Sequence, residues 1–311
     1  MWLYLQLNLN NRVILFENGF QNVLKMDIST MLFKIVLAMI AFAANSVICR
    51  FALVQNQIDP MSFSILRVLS GVLVLSILLM VSYRKSQIRT KLNWNLKHGF
   101  YLAVYIVAFS LAYVKIDAGV GALLLFGTVQ LTMVIYGLCH GENINWKRAV
   151  GLLLAFAGIT ILLLPGANAP SLGYSIIMVA SGIAWAAYSI SGKDSTNPLN
   201  STYTNFVLAV PFVFIAGFLF AQNIHISWQG FILAIISGGL ASSSAYVLWY
   251  SILKQIDRIM ASAVQLSVPC LAIIGGSLFI GENIGLRILL SSVIVLCGIL
   301  LVIFAVPKKA T

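Results

Sequence analysis

The sequence predicts an all-α integral membrane protein with ten transmembrane helices arranged as two inverted five-helix repeats. Three observations lead to this prediction. The chain is 60% hydrophobic and only 9% charged, whereas soluble domains average about a quarter charged residues, so most of its surface must face lipid. It contains ten apolar runs, each close to the length that a helix needs to cross a bilayer. Short motifs also recur at one fixed offset along the chain.

The recurring motifs indicate an internal duplication. Gly141-Glu142-Asn143-Ile144 returns as Gly281-Glu282-Asn283-Ile284, 140 residues later. The same offset pairs Ile116-Asp117 with Ile256-Asp257, and Gly158 with Gly298. The matches include Asp, Glu and Asn, which are scarce in this chain, so similar apolar composition accounts for them poorly. A repeat of this length changes the interpretation of the whole fold.

The elements follow in chain order. The predicted spans cover residues 32–54, 62–82, 99–115, 118–139, 147–164, 172–191, 203–221, 230–252, 259–280 and 285–306. Links that carry Pro, Gly and Asn end the helices between them. The first repeat is predicted over residues 32–164 and the second over 172–306, with a tail at 1–31, in which Met26 is an alternative start, and a basic tail at 307–311.

The distribution of Lys and Arg predicts the orientation. With both termini in the cytoplasm, most basic residues fall on the cytoplasmic side, including the cluster from Arg84 to Lys97. The far side holds only Arg50, Arg67, Lys115 and Arg287. Because each repeat has an odd number of spans, the second repeat must enter the membrane upside down. Inverted repeats of this kind are typical of secondary transporters.

Several motifs resemble those of a known family. Asp59-Pro60 through Arg67 resembles its entry to the second helix, and Gly-Glu before the fifth and tenth helices is its most recognisable mark. Over residues 30–306 the chain resembles the EamA-type transporters of the drug/metabolite transporter superfamily. The resemblance implies ten helices, inverted repeats and movement of small organic solutes, often outward, across a bacterial inner membrane. Two departures, Phe42-Ala43-Ala44-Asn45 in the first helix and Val129 in the fourth, leave substrate identity open.

Polar and aromatic residues inside the apolar runs are candidates for substrate binding. Buried amides need a partner or a wet cavity, which draws attention to Asn45, Gln130 and Gln265. Trp185 and Tyr188 lie one turn apart on one helix face. Tyr113 and Tyr246 add aromatic rings with a polar edge. The alternatives are structural hydrogen bonds between helices for the amides and membrane-interface positions for the aromatic residues.

Arg67 falls inside the second span, where a charge costs about 2.5–3.5 kcal/mol on insertion scales. We expect it to extend outward or to pair with Asp59 or a substrate carboxylate. The third run is short, and the eighth is interrupted by Gly238-Gly239 and the serines that include Ser243. Interruptions at matching positions of two halves point to a central site, although small residues also allow close helix packing.

Other residues are assigned structural roles. Glu142, Glu282 and Asp117 each precede a helix, where a carboxylate stabilises the free N–H groups. Pro269 matches the position of Val129 in the first half. The four cysteines form no metal-binding pattern, and we expect no metal, no cofactor and no catalytic residue. The expected partners are a small-molecule substrate and the bilayer, not nucleic acid, and a homodimer is left open.

The sequence favours a secondary transporter of small polar or amphipathic metabolites, such as amino acids, working by alternating access. None of the eight acidic residues lies in the middle of a span, which favours facilitated diffusion or exchange over proton-driven antiport. A lipid or multidrug flippase or antiporter on the same fold and a channel remain alternatives. A membrane-embedded enzyme is a weaker one, because no cluster of catalytic residues is evident.

Overall fold

A computed structural model describes residues 30–86, 92–139, 145–164, 170–192, 195, 197–221, 223–255, 264–265 and 267–304. Within them, ten helices follow one another: α1 Thr30–Val54, α2 Pro60–Ser86, α3 Leu96–Ala112, α4 Ala118–Cys139, α5 Trp146–Leu163, α6 Leu172–Gly192, α7 Pro198–Phe220, α8 Trp228–Leu253, α9 Ser267–Ile280 and α10 Leu286–Phe304. The predicted N-terminal tail, Glu142 and the basic C-terminal tail lie outside the described residues.

The all-α membrane fold is confirmed. Among the described helices, six are long and apolar enough to cross a membrane, and α3, α5, α9 and α10 contain shorter apolar segments. Large apolar side chains project outward, as with Phe218 at 90% exposure and Leu278 at 74%. A surface of this kind is stable against lipid and not against water. Ten crossings and an inverted repeat remain predictions.

Several helices begin earlier than the apolar runs predicted, and side chains cap α2 and α7 at their early starts. Asp59 Oδ1 accepts hydrogen bonds from the N–H groups of Met61 and Ser62 at 3.1 and 2.9 Å, so α2 begins at Pro60. The Asn197 side chain does the same for α7. Pro198, which lies before the predicted span 203–221, is instead the first residue of α7. Proline is tolerated in the first helical turn, where its missing N–H has no intrahelical partner.

The interruption predicted in the eighth run is a π-helical segment. Residues Ser237–Ser244 form π-helix between two α-helical parts of α8. Gly238 allows this segment to lie directly against α2, because a Cβ there would collide with the Arg67 carbonyl oxygen and Ser70 Oγ. Short π-helical segments inside α-helices are frequent at functional sites.

Helix packing brings the two halves of the chain together. Helix α2 packs against α7 and α8, α3 against α6 and α7, α4 against α6 and α9, and α5 against α10. Most of these contacts join a helix before residue 164 to one after residue 172. The two predicted repeats therefore do not form separate bundles, and buried residues at their interface belong to both.

Loops from both halves meet at one end of the bundle. We call this the Arg50 end and define it by loops 55–59, 113–117, 223–227 and 281–285. Asp59 N–H donates to His225 O at 2.9 Å, His225 N–H donates to Asp59 Oδ2 at 3.1 Å, and Ile58 forms an isolated antiparallel bridge with Ile226. Each loop joins a helix that ends here to one that begins here, so the two helices that each loop joins run in opposite directions.

Candidate substrate-binding site

Arg67 is the centre of a buried polar network between α2, α3 and α8. Its side chain is fully buried. Its Nε donates to Ser242 Oγ at 2.9 Å, and its Nη2 donates to Tyr246 OH at 2.9 Å and Tyr105 OH at 3.2 Å. Tyr246 OH in turn donates to Tyr105 OH at 3.1 Å. The arginine from the first half is thus held by residues of both halves.

Aromatic rings surround the guanidinium group. Its carbon lies 4.8 Å from the ring centroid of Phe109 and 5.3 Å from that of Tyr105, within range of a cation–π interaction. The Trp185 ring packs 4.8 Å from the rings of both Tyr105 and Tyr246. We call the rings that pack together here the aromatic cluster; it comprises Phe42, Tyr105, Phe109, Trp185, Tyr188, Tyr246 and Trp249.

Two amides extend the network towards α1 and towards the segment before α9. Asn45 Oδ1 accepts from Ser237 Oγ at 2.6 Å and from Ser242 Oγ at 3.4 Å. Trp185 Nε1 donates to Gln265 Oε1 at 3.4 Å. Both amide residues are buried. A buried amide is costly without a hydrogen-bond partner. These bonds therefore stabilise the contacts that α1 and the segment before α9 make with the aromatic cluster.

Some buried donors in the cluster have no acceptor. Arg67 Nη1 and Trp249 Nε1 are buried and lack a hydrogen-bond partner within the described residues. A buried donor left without a partner costs about 1–3 kcal/mol, and more when it is charged. Such groups in a folded protein are often completed by water or by a ligand. A molecule with a hydrogen-bond acceptor would therefore be stabilised if it bound in this cluster.

The structure brings together most of the binding residues predicted from sequence. Asn45, Arg67, Trp185, Tyr188, Tyr246 and Gln265 all belong to the network or the aromatic cluster. Gln130 is buried in α4. Ser243 is buried, but its hydroxyl donates to Gly239 O of its own helix at 2.7 Å.

Tyr113 lies at the edge of this region. Its ring packs 4.7 Å from that of Phe109, and its hydroxyl donates to Ala118 O at 3.3 Å. Of the alternatives expected for Arg67, extension outward and pairing with Asp59 are both wrong, because its side chain is fully buried and its hydrogen-bond partners within the described residues are hydroxyl groups. Asp59 instead caps α2 and contacts His225 at the Arg50 end, while Arg67 lies about two turns further along α2.

Arg50 links three elements at the Arg50 end. Its Nε donates to Glu282 Oε1 at 3.0 Å and its Nη2 to Asp117 Oδ1 at 3.1 Å, while its Nη1 donates to the carbonyl oxygens of Tyr113 and Val114 at 3.0 and 3.1 Å. The Arg50 side chain therefore joins the end of α1 to the α3–α4 loop and to the α9–α10 loop through hydrogen bonds and ion pairs.

Glu282 stabilises a helix from the other half. Its Oε2 accepts from Ala118 N–H at the start of α4, at 2.8 Å, whereas the sequence led us to expect a cap on its own following helix. Asp117 pairs with Arg50. Burial raises the pKa of the Glu282 carboxyl above its usual value, and the hydrogen bond from Arg50 acts in the opposite direction. Arg50 thus helps to keep this carboxylate charged.

Several residues that matter here were not among the binding residues predicted from sequence: Phe42, Arg50, Tyr105, Phe109, Ser242 and Trp249. Tyr105 lies in the short third run, which was itself flagged, but nothing local distinguishes it from the apolar residues around it. Ser242 rather than Ser243 reaches Arg67. The extra residue per turn of the π-helical segment changes which serine points towards α2, and sequence alone does not reveal that change.

An apolar cavity lies apart from this network. It has a volume of about 520 Å³ between α1, α8 and α9, and residues such as Ala43, Val47, Leu271 and Gly275 line it. Its lining side chains offer no charge and no hydrogen-bond donor. In the described parts of the chain, no group of His, Cys, Asp or Glu has a metal-binding arrangement. Because the cavity is lined by apolar side chains, the Arg67 network is the better candidate for binding a polar solute.

Comparisons with known proteins agree with a membrane carrier. The sequence matches the EamA-like transporter family over residues 29–164 and again over 172–304. It is 42% identical to an uncharacterized protein of Pseudomonas aeruginosa over 86% of this chain and 92% of that protein. It is 26% identical to an uncharacterized transporter of Archaeoglobus fulgidus, over 66% and 74% of the two chains.

Two more distant matches are a relative whose name gives a function and a protein with a solved structure. A probable amino-acid metabolite efflux pump of Salmonella typhimurium is 20% identical over 72% of this chain and 81% of its own length. One solved crystal structure has a TM-score of 0.60 at 16% identity, covering 86% of this chain and 98% of that one. At that identity the similarity shows a shared fold alone.

Proposed function

The chain belongs to the EamA-like transporter family, and from that premise we propose that it exports or exchanges small polar or amphipathic metabolites, such as amino acids, by alternating access. It is a transporter and not an enzyme. The observation that carries the proposal is the Arg67 network. Asn45, Arg67 and Tyr105 come from the first half, whereas Trp185, Ser242 and Tyr246 come from the second. Carriers of this class bind substrate between two such halves.

The packing pattern supports an inverted repeat of five helices. A twofold relation between the halves pairs each helix with the one five places further along, and α2 packs on α7, α4 on α9, and α5 on α10. The relation also requires α1 to meet α9 if α4 meets α6. Both contacts occur, since Gly275 of α9 lies against Val47 of α1. This pattern supports our proposal that all ten helices cross the membrane.

The Arg50 end supplies a gate for alternating access. From the distribution of Lys and Arg we infer that this end lies on the outer face of the inner membrane of a bacterium and that both termini lie in the cytoplasm. With Arg50 joined to Asp117 and Glu282, the network around Arg67 is closed from outside. Outward release of a solute requires these bonds to break, and inward opening requires them to form.

The placement of acidic residues favours exchange or facilitated diffusion over proton-driven antiport. Within the described ranges the acidic residues are Asp59, Asp117 and Glu282, and all three lie at the Arg50 end. Proton-coupled carriers usually place a carboxylate or histidine within the membrane. The Arg67 network, which is built from hydroxyls, amides and one guanidinium, offers no such proton carrier.

A flippase is the second candidate, favoured by the apolar cavity between α1, α8 and α9. Leu278 and Phe279 line it and are 74% and 73% exposed, so it opens towards the lipid-facing surface. A lipid or an amphipathic drug with a long apolar body would fit such a cavity better than an amino acid. Competition of a lipid analogue with a small metabolite separates the two candidates.

Transport by purified protein in proteoliposomes tests the proposal. The panel comprises labelled amino acids, nucleosides and cationic drugs, and we expect saturable exchange of at least one small metabolite. Trp185→Ala should lower its rate by about tenfold or more, since it removes a wall of the aromatic cluster. Trp228→Ala, at an indole that is 74% exposed, is the matched control and should transport normally.

Two outcomes would contradict this account. Flux that does not saturate with solute concentration and that proceeds at channel rates would show that the protein is a channel and not a carrier. Wild-type transport by Trp185→Ala would remove the aromatic cluster from the route of the solute.

A further inference from the structure

Arg67 carries a buried positive charge with no carboxylate partner among the described residues. The acidic side chains described, Asp59, Asp117 and Glu282, are engaged at the Arg50 end. Within the described residues Arg67 makes side-chain hydrogen bonds only to three neutral hydroxyls, and it lies against two aromatic rings. Neutral partners lower the cost of burying a cation but leave its charge uncompensated.

The free face of the guanidinium is suited to an anion. Nε and Nη2 are used by Ser242, Tyr105 and Tyr246, so their N–H groups fix the orientation of the plane. Nη1 remains buried and unpartnered, and so does the indole Nε1 of Trp249 in the same aromatic cluster. The planar, permanently charged guanidinium forms strong, charge-assisted hydrogen bonds to anionic oxygens such as those of a carboxylate.

On this basis we propose that Arg67 binds the carboxylate of the transported solute, and that the rings of Tyr105, Trp185 and Tyr246 bind its apolar or aromatic body. The inference rests on the proposed transport function and names its substrate class. The class is monocarboxylates and zwitterions with an apolar side group. Simple cations are disfavoured, because Arg67 repels them and the described lining of the cluster supplies no carboxylate to pair with them.

The two parts of the solute would then be held mainly by different halves. The carboxylate lies on an arginine of α2, in the first half, whereas Trp185 of α6 and Tyr246 of α8 belong to the second. Ser242 and Tyr246 also fix the guanidinium itself. A bound carboxylate would neutralise the charge at the interface between halves, which gives the loaded carrier a lower electrostatic cost than the empty one.

Binding by purified protein in nanodiscs tests this, read from the quenching of tryptophan fluorescence, since Trp185 and Trp249 lie in the cluster. The probes are matched pairs: phenylacetate with phenylacetamide, and L-phenylalanine with its amide, together with phenethylammonium. We expect the acids to bind at least about tenfold more tightly than their amides, and phenethylammonium to bind no better than the amides.

Variants of Arg67 test whether this residue causes the preference for acid over amide. Arg67→Gln should remove the preference for acid over amide, and Arg67→Lys should retain part of it. Arg84→Gln, at an exposed arginine on the same helix, is the matched control and should leave the preference unchanged. If Arg67→Gln does not fold, the acid–amide comparison on the wild type and on Arg67→Lys still decides the matter.

Equal binding of acid and amide by the wild type, or no binding of either acid at millimolar concentration, would overturn the inference. Its failure is distinguishable from failure of the transport function. Transport that acids and amides inhibit equally would leave a carrier without a carboxylate site. Arg67-dependent acid binding without transport of any acid would keep the site and remove the carrier function.

Discussion

Arg67→Met is expected to abolish transport while leaving the folded protein at least as stable as the wild type. Replacing a buried ion by an apolar residue of similar volume is often neutral or stabilising, by up to about 4 kcal/mol. The hydroxyls that now bind Arg67 keep partners after the change. Tyr246 OH donates to Tyr105 OH, and Ser242 Oγ donates to Asn45 Oδ1. The opposite signs of the two effects identify a residue kept for function and not for folding.

Transport in proteoliposomes and thermal unfolding of the same preparations measure the two effects. We expect loss of the saturable component, with an unchanged or higher midpoint of unfolding. Arg84→Met, on the exposed part of α2, is the control that should change neither. A variant that unfolds several degrees lower would make Arg67 a structural residue. Wild-type transport would remove it from the site.

Arg50→Ala is expected to open the Arg50 end. Breaking a buried ion pair by removing one partner costs about 3–5 kcal/mol, and the side chains of Arg50 and Glu282 are 10% and 12% exposed. The Asp117 side chain is 43% exposed, so solvent screens that contact and it adds little. The change also leaves the carbonyl oxygens of Tyr113 and Val114 without their donor. The fraction of molecules in which the end of α1 has separated from the α3–α4 and α9–α10 loops should therefore increase.

Cys49 reports this opening, because it is fully buried and directly precedes Arg50. With Cys139, Cys270 and Cys297 replaced by serine, a membrane-impermeant maleimide added from outside should label Cys49 about tenfold faster in Arg50→Ala than in the parent. Glu282→Gln removes the charge and keeps only one of the two oxygens that accept from Arg50 Nε and from Ala118 N–H, but it leaves Arg50 joined to Asp117 and to the two carbonyl oxygens, so it should have a smaller effect.

Arg287→Ala is the matched control. This arginine is also near the Arg50 end, but its Nη1 donates to Leu164 O and it takes no part in the network of Arg50. Its labelling rate should equal that of the parent. Labelling of Cys49 that is equally fast in the parent and in Arg50→Ala would show that Arg50 does not close this end.

The sequence predicts the class of fold, because apolar runs and charge placement are local properties of the chain. It also predicts the break in α8, since Gly238-Gly239 and the serines after them disfavour a regular helix. It does not predict which serine reaches α2. That choice depends on the π-helical register of Ser237–Ser244, in which Gly238 lies directly against the Arg67 carbonyl oxygen and Ser70 of α2.

Partners distant in sequence account for the remaining errors. Asp59, which directly precedes α2, is the acidic residue nearest to Arg67 in sequence, yet the partners of Arg67 lie 38 to 179 residues away, on α3 and α8. Arg50 contacts Glu282 across a separation of 232 residues. Such pairings follow from how whole helices pack. Periodicity within a single segment carries no information about them.

If two antiparallel halves enclose the Arg67 network, equivalent loops of the two halves must lie on opposite faces of the membrane. In a protein whose native cysteines are replaced, Asn143→Cys and Asn283→Cys place one thiol in each copy of the repeated Gly-Glu-Asn-Ile motif. An impermeant reagent added outside intact cells should label the position at 283 and spare the one at 143. Labelling of both positions from the same side would contradict the antiparallel arrangement, and with it the shared site.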